Sequence, residues 1–298
     1  MQLTIHNMCK RYANGVQALD NVSLTVVPGM YGLLGPNGAG KSTLMRTLAT
    51  LQEADSGSAT FDDIDVLRDK DRVRRVLGYL PQDFGVYPKV TAQEMLDHFA
   101  RLKGITDSRQ RKATVDALLE RTNLASVRNQ NLGGFSGGMR QRFGIAQALI
   151  GNPRLIIVDE PTAGLDPEER VRFLNLLAGI GRDAVVILST HIVDDVADLC
   201  PSFAVISKGR VLMSGAPSAA VATIKGKIWR RAVAREELDA IQKALPVIST
   251  RLQSGETVVR AYANSAPEAG FESVEPELED VYFSAVSGHI AGPLPAAA

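Results

Sequence analysis

GPNGAGKST, Gly35 to Thr43, stands between the apolar run MYGLL and the helix-forming run KSTLMRTLATL. It fits the spacing G-x-x-x-x-G-K-[ST] and has the strand-before, helix-after setting in which that spacing acquires a mechanism. Glycines let successive N–H groups turn inward around phosphate oxygens, and the helix start adds partial positive charge. The cradle comprises Gly35, Pro36, Asn37, Gly38, Ala39, Gly40, Lys41, Ser42 and Thr43. Lys41 reaches toward the β- and γ-phosphates of a nucleotide, and the Ser42 hydroxyl is a ligand for Mg2+.

Further along the chain, RLIIVDE (154–160), AVVILSTH (184–191) and FAVISKGRVLMSG (203–215) are continuously apolar runs of strand length. Alternating with helical runs, they predict a buried, mostly parallel sheet. Upstream, MQLTIHNM and ALDNVSLTVVPG alternate as short strands joined by turns. From Thr91 the texture becomes helical. Thr91 and Glu94 make a T-x-x-E capping box, and Met95, Leu96, Phe99 and Leu102 then share one face. A second helix is expected over about Arg109 to Arg121, with Val115, Leu118 and Leu119 apolar together, and a third from Ser136. This predicts an all-helical insert at about 91–150. After SGAPSAAV the chain starts again: a helix in AREELDAIQKAL, a hairpin around Ser254-Gly255 and a last helix in PELEDVYFSAV predict a small appended domain. AGPLPAAA (291–298) reads as a frayed tail.

Strand ends carry the candidate chemistry. Asp159 closes its strand where an aspartate holds Mg2+, usually through water, and Glu160 directly after it is placed to act as general base. His191 closes the next strand, and ligands gather at such ends. Gln82, in YLPQD, sits where the sheet hands over to the helical insert, so it is expected to touch metal or water and to move with the insert. Tyr12, in KRYANG, offers a ring for a base to stack on. A second glycine-rich stretch, GGFSGGMRQR (133–142), has no evident phosphate of its own. Ser136 caps the helix after it, and the Gly137 and Gly138 N–H groups present an anion site at its positive end.

The 33 basic and 33 acidic residues cancel, which argues against a nucleic-acid binder working by bulk electrostatics. At 45% hydrophobic and 22% charged the composition is globular. Cys9 and Cys200 lack metal or CxxC spacing and read as reduced thiols of a cytosolic protein. No signal-peptide pattern is apparent, and no apolar run approaches the roughly 18 residues that cross a bilayer.

With these residues placed, residues 1 to about 220 resemble the nucleotide-binding subunit of an ATP-binding cassette (ABC) transporter. Tyr12 matches the adenine-stacking position, Gly35–Thr43 the Walker A loop, Gln82 the Q-loop and FSGGM the signature. Asp159 and Glu160 match the Walker B pair, GLDP the D-loop with Asp166, and His191 the switch histidine. The resemblance implies a P-loop NTPase (RecA-like) α/β core with an N-terminal antiparallel β subdomain and an all-helical signature subdomain over 1–220. A small α+β accessory domain with a flexible tail then occupies 221–298. It further implies Mg-ATP hydrolysis in a head-to-tail homodimer, with Ser136, Gly137, Gly138 and Asp166 serving the partner's nucleotide. A separate membrane permease would hold the chain to the inner face of the cell membrane. Met139 and Phe135 depart from the usual signature residues, glutamine and leucine. MRQRFGIAQAL and PELEDVYF (276–283) are similar to the branch that powers exporters of drugs, lipids or polysaccharides. In the competing class, a soluble cassette ATPase of translation, repair or cluster assembly, the translation type carries two cassettes in one chain and the repair type splits its motifs around long coiled coils. This sequence has one phosphate loop and no sustained heptads. A G protein or small-molecule kinase leaves FSGG unexplained.

Overall fold

Within the larger sheet, successive residues of each strand enter opposite cores, as the two-residue period of a strand requires. Ile156, Val158, Val186 and Leu188 bury in one core with the helices; Leu155, Ile157, Val185 and Ile187 bury in the other. The computed structural model describes residues 1–181, 183–267, 270–290 and 292–293. Strand order in this sheet is Gly292–Pro293, Arg210–Gly215, Ser202–Ser207, Gly29–Leu34, Val185–Thr190, Leu155–Asp159 and Leu77–Leu80. From Ser202–Ser207 to Leu77–Leu80 all neighbours are parallel, while Arg210–Gly215 turns back as a hairpin strand. The mostly parallel sheet expected from the apolar runs is therefore present.

A second sheet, antiparallel, orders Gln17–Val26, Leu3–Arg11, Ser56–Phe61 and Ile64–Asp65. Its Leu3, Leu24 and Phe61 close one core together with Leu44 and Leu48 of the helix Lys41–Leu48. The other core is closed by the helices Ala92–Leu102, Ser108–Arg121 and Gly137–Ala148, through Leu96, Leu119 and Phe143. The Thr91–Glu94 capping box forms with both reciprocal bonds. Leu102, expected on the buried face, is instead 70% exposed. Its turn overlies a groove lined by Leu51, Tyr79 and Phe99 rather than the core. The arginine-rich segment beyond Leu67 carries no helical pattern in its sequence, yet it forms the short helix Lys70–Val76 around the single buried Val73.

The third sheet is antiparallel, in the order Val247–Gln253, Glu256–Tyr262, Ile228–Val233 and Glu272–Ser273, and the helix Leu238–Ala244 covers one face. Ser254 and Gly255 both take positive φ, +51° and +88°, the backbone that a two-residue hairpin with native twist demands. The core does not break where this sheet begins. Leu278, Val281, Tyr282 and Ala285 of the helix Leu278–Val286 bury in the same core as Val193, Val196 and Phe203. Most of the stretch expected to be a frayed tail lies outside the described residues; Gly292–Pro293 pairs in parallel with Arg210–Gly215. Among the described residues no helix is long and apolar enough to cross a membrane.

Candidate functional site

Four parallel strands, Gly29–Leu34, Val185–Thr190, Leu155–Asp159 and Leu77–Leu80, end along one edge of the sheet. Leu34 pairs with Thr190, Ser189 with Asp159, and Val158 with Leu80. The segments just past these strand ends therefore lie side by side at about 4.8 Å spacing: the phosphate loop, His191, Glu160 and Gln82, in that order. Gly40, the residue before the helix Lys41–Leu48, has φ +106°, and a Cβ there would run into the Ala18 carbonyl. Only glycine satisfies both conditions.

Lys41 is buried, its Nζ donating to the carbonyls of Gly35 at 2.6 Å and Pro36 at 3.3 Å. The same Nζ lies 3.3 Å from Glu160 Oε1. The other carboxylate oxygen, Oε2, meets His191 Nδ1 at 2.7 Å. Glu160 thus joins the loop lysine to the histidine. Its backbone takes φ +49°, a left-handed conformation that costs a non-glycine residue about 1–3 kcal/mol. Its N–H donates to the Ser189 carbonyl at 2.9 Å, so the neighbouring strand holds this turn in place.

Asp159 is 3% exposed, and its Oδ1 has no hydrogen-bond partner; neither does the buried Ser189 hydroxyl beside it. Burial pushes the Asp159 carboxyl above its ordinary value. The nearby hydroxyls of Ser189 and Ser42 pull it back, Glu160 adds to the rise and Lys41 opposes it. Orphaned buried oxygens facing an exposed Ser42 are what a hard cation would satisfy. Among the described residues no group of three or more His, Cys, Asp or Glu has metal-ligand geometry, so remaining ligands would come from phosphate and water.

Tyr12 is tied to this edge, its hydroxyl lying 3.1 Å from Thr43 Oγ1 and 3.2 Å from Gln52 Oε1. Its ring stays 38% exposed. Gln82 is exposed, two residues beyond its strand. The second glycine stretch lies elsewhere. Ser136 caps the helix Gly137–Ala148, accepting from the Met139 N–H at 3.2 Å. That helix packs at the Leu77–Leu80 edge, where Gly144 lies against Leu80 and Phe84. Two strands separate that edge from the strand feeding the phosphate loop, about 14 Å of sheet. Among the described residues no hydrogen bond joins 133–139 to 35–43. Asp166 caps the helix Pro167–Ile180 through the Glu169 N–H at 2.9 Å.

A family model described as ABC transporter matches residues 19–163. The drug-resistance protein DrrA of Streptomyces peucetius, named a daunorubicin/doxorubicin resistance ATP-binding protein, is 35% identical over 258 residues, covering 86% of this chain and 76% of its own. The chain belongs to the ABC transporter ATP-binding protein family. YbhF of Escherichia coli (strain K12), a probable multidrug ABC transporter ATP-binding protein, is 33% identical over 304 residues; this chain spans 52% of its length. Among solved structures, the dimeric post-hydrolysis state of the cassette MJ0796 bound to ADP and Pi matches with a TM-score of 0.65 and 26% identity, covering 71% of this chain and 97% of that one.

The cassette also holds a knot of side chains that no motif flagged. Asp195, wholly buried, accepts from Thr162 Oγ1 at 2.8 Å and from Arg170 Nε at 2.8 Å. Thr162 lies two residues beyond Glu160, Arg170 on the helix capped by Asp166, and Asp195 on the helix Val193–Leu199 just after His191. An aspartate set between Val193 and Val196 on an otherwise apolar helix face is the one sequence signal that marks it.

Proposed function

We propose that this chain is the ATP-hydrolysing subunit of a membrane exporter, working as a head-to-tail homodimer on a separate permease at the inner face of the cell membrane. The observation that carries the reading is Glu160, buried between Lys41 and His191 at the mouth of the phosphate loop. The dimer rests on the second glycine turn, an open helix N-terminus remote from its own chain's loop, and on the dimeric state of MJ0796. Export rests on the drug resistance for which DrrA is named and on the helix Leu278–Val286. We assign 1–220 to the cassette and 221–298 to an accessory unit whose last helix returns to the cassette core.

ATP phosphates lie along Gly35–Thr43, with Tyr12 against the base. Ser42 and Asp159, the latter through water, would hold Mg2+, with Gln82 as a further candidate ligand, and the ion would supply neutralisation of phosphate charge. Phosphate attracts the Lys41 ammonium and leaves Glu160 Oε1 to accept the proton of the attacking water. His191 keeps the Glu160 carboxylate oriented and faces the departing phosphate. Ser136, Gly137, Gly138 and Asp166 of the partner copy close the pocket from the other side, stabilising spreading charge.

The permease has a suitable seat. A groove of about 540 Å3 exposes Leu51 and Leu102 beside Phe99, rimmed by Arg74, Arg75 and Lys103. A short amphipathic segment with acidic residues matches that surface. Glu160→Gln tests the chemistry: it is expected to keep ATP affinity and lose at least about a hundredfold in kcat. Wild-type turnover by this variant would overturn the assignment of the base. Co-purification of a multispanning membrane protein with the tagged chain tests the partner, and its absence would count against the permease.

A further inference from the structure

We propose that Thr162 and Asp195, with Arg170, form a positioning device that holds Glu160 and His191 in mutual register for hydrolysis. The proposal deepens the hydrolytic role proposed for this site and rests on Glu160 and His191 as its reacting pair. Glu160 sits in a left-handed turn that its own local sequence does not favour, since it is neither a glycine nor an asparagine and no glycine flanks it. Strain of this kind persists only where surrounding contacts over-determine the backbone. Upstream, the strand Leu155–Asp159 fixes the turn. Downstream, the Thr162–Asp195 bond fixes it, because Pro161 and Thr162 are buried and leave the loop little room.

Asp195 also anchors the other half of the pair. His191 is followed by one turn-forming residue, Ile192, whose N–H donates to Thr190 Oγ1 at 3.0 Å, and then by the helix bearing Asp195. Any shift of that helix along the Thr162 loop therefore changes the 2.7 Å contact between His191 and Glu160. Arg170 completes the device with a two-pronged bond, Nε at 2.8 Å and a terminal nitrogen at 2.7 Å, on a carboxylate with no solvent exposure. Arg170 stands four residues after Asp166, the residue assigned to the partner's nucleotide. Occupancy of one pocket would thus bear on the reacting pair of the other through a single helix turn.

The test uses the full chain, with Thr162→Val removing the hydroxyl at constant volume and Thr162→Ser restoring it. The valine variant is expected to lose about 10- to 100-fold in kcat, with ATP affinity within about twofold of wild type. The serine variant is expected to recover most of it. Wild-type kcat in Thr162→Val, or a loss confined to KM, overturns the proposal. Should the valine variant melt below assay temperature, Arg170→Lys, which keeps the charge and loses the fork, takes its place with the same expectations. A readout independent of turnover is the ring Cε1–H resonance of His191, assigned by its absence in His191→Ala. It moves in Thr162→Val if the knot positions the ring, and an unchanged resonance counts against it. If wild-type chain hydrolyses no ATP, the activity reading fails while this spectrum still decides the geometry.

Discussion

Gly137 and Gly138 look interchangeable in the sequence, but alanine should act on them in opposite ways. At Gly137 a Cβ meets nothing within 4 Å; at Gly138 it would press on the Glu169 side chain, with Cδ at 2.7 Å and Cγ at 2.8 Å. Glu169 cannot simply retreat, since Arg142 holds its Oε2 at 2.5 Å and Arg172 its Oε1 at 3.3 Å. Replacing glycine by alanine in a helix gains about 0.5–1 kcal/mol. Breaking a part-buried charge-assisted bond costs about 1.5–3 kcal/mol. Gly138→Ala should therefore lose about 1–2 kcal/mol net, or about 2–3 °C in Tm for a chain of this size. Gly137→Ala should hold or raise Tm, and yet, if the proposed head-to-tail dimer holds, it should cut ATPase activity severely, because its new methyl would then face the partner's nucleotide. Differential scanning calorimetry and steady-state phosphate release measure the two effects separately. A double-mutant cycle, Gly138→Ala with Glu169→Ala, should return less than the sum of the single losses. A destabilised Gly137→Ala, or a stable one that hydrolyses ATP at the wild-type rate, would refute this division between the two glycines.

Asp159→Asn should raise Tm by about 1–3 °C at pH 7–8 and, if Asp159 has the proposed metal-holding role, abolish ATP turnover. The folded carboxyl has a raised pKa, so its burden appears as pH rises through that value and vanishes toward acid, and the gain in Tm should shrink on acidification. Arg260→Met removes the partner of the buried Asp280, bonded at 2.7 Å, and should cost about 3 kcal/mol by denaturant titration. Burial already raises the Asp280 carboxyl, and losing Arg260 raises it further, so the loss should be larger at pH 7 than at pH 5. Tyr12→Ala should weaken ATP binding about tenfold by fluorescence titration, whereas Tyr12→Phe, which keeps the ring and drops only the exposed hydrogen bonds to Thr43 and Gln52, should stay within about threefold.

Legibility depends on the range of the cause. The phosphate loop, the capping box at Thr91 and the Ser254-Gly255 hairpin are each determined within a few residues, and each is visible in the chain as written. So are the apolar strands, whose burial on both faces removes any need for polar alternation. The helix Lys70–Val76 is hidden because one buried valine supports it and the remaining residues are mostly charged. The strand Ile228–Val233 is hidden for a related reason: Arg230 and Arg231 break its apolar pattern, and its place is set by pairing with Glu256–Tyr262, some thirty residues on. The helix Leu278–Val286 is legible as a helix, but its burial against Val193 and Phe203 depends on a fold that returns across some eighty residues. At the site, residue types are readable, whereas the left-handed turn of Glu160 and the Thr162–Asp195–Arg170 knot are not. No spacing rule connects positions 33 and 25 residues apart.

The buried polar groups explain why the site resists being read as a stability feature. Lys41, Asp159, Glu160, Ser189, Thr190 and Asp195 are all buried, and all lie at or just beyond the same ends of parallel strands. Two of them leave an oxygen unsatisfied, each at about 1–3 kcal/mol. Two apolar cores on either side of the sheet offset that cost, so the edge between them tolerates groups that no core would select. The easiest stabilising substitutions should therefore cluster along this edge, and each should diminish turnover. Asp195 separates the two roles: both its oxygens are satisfied, and removing it should lower stability and rate together. A scan in which gains in Tm fell at random over the surface, with none at Asp159 or Ser189, would count against the division of labour between cores and edge.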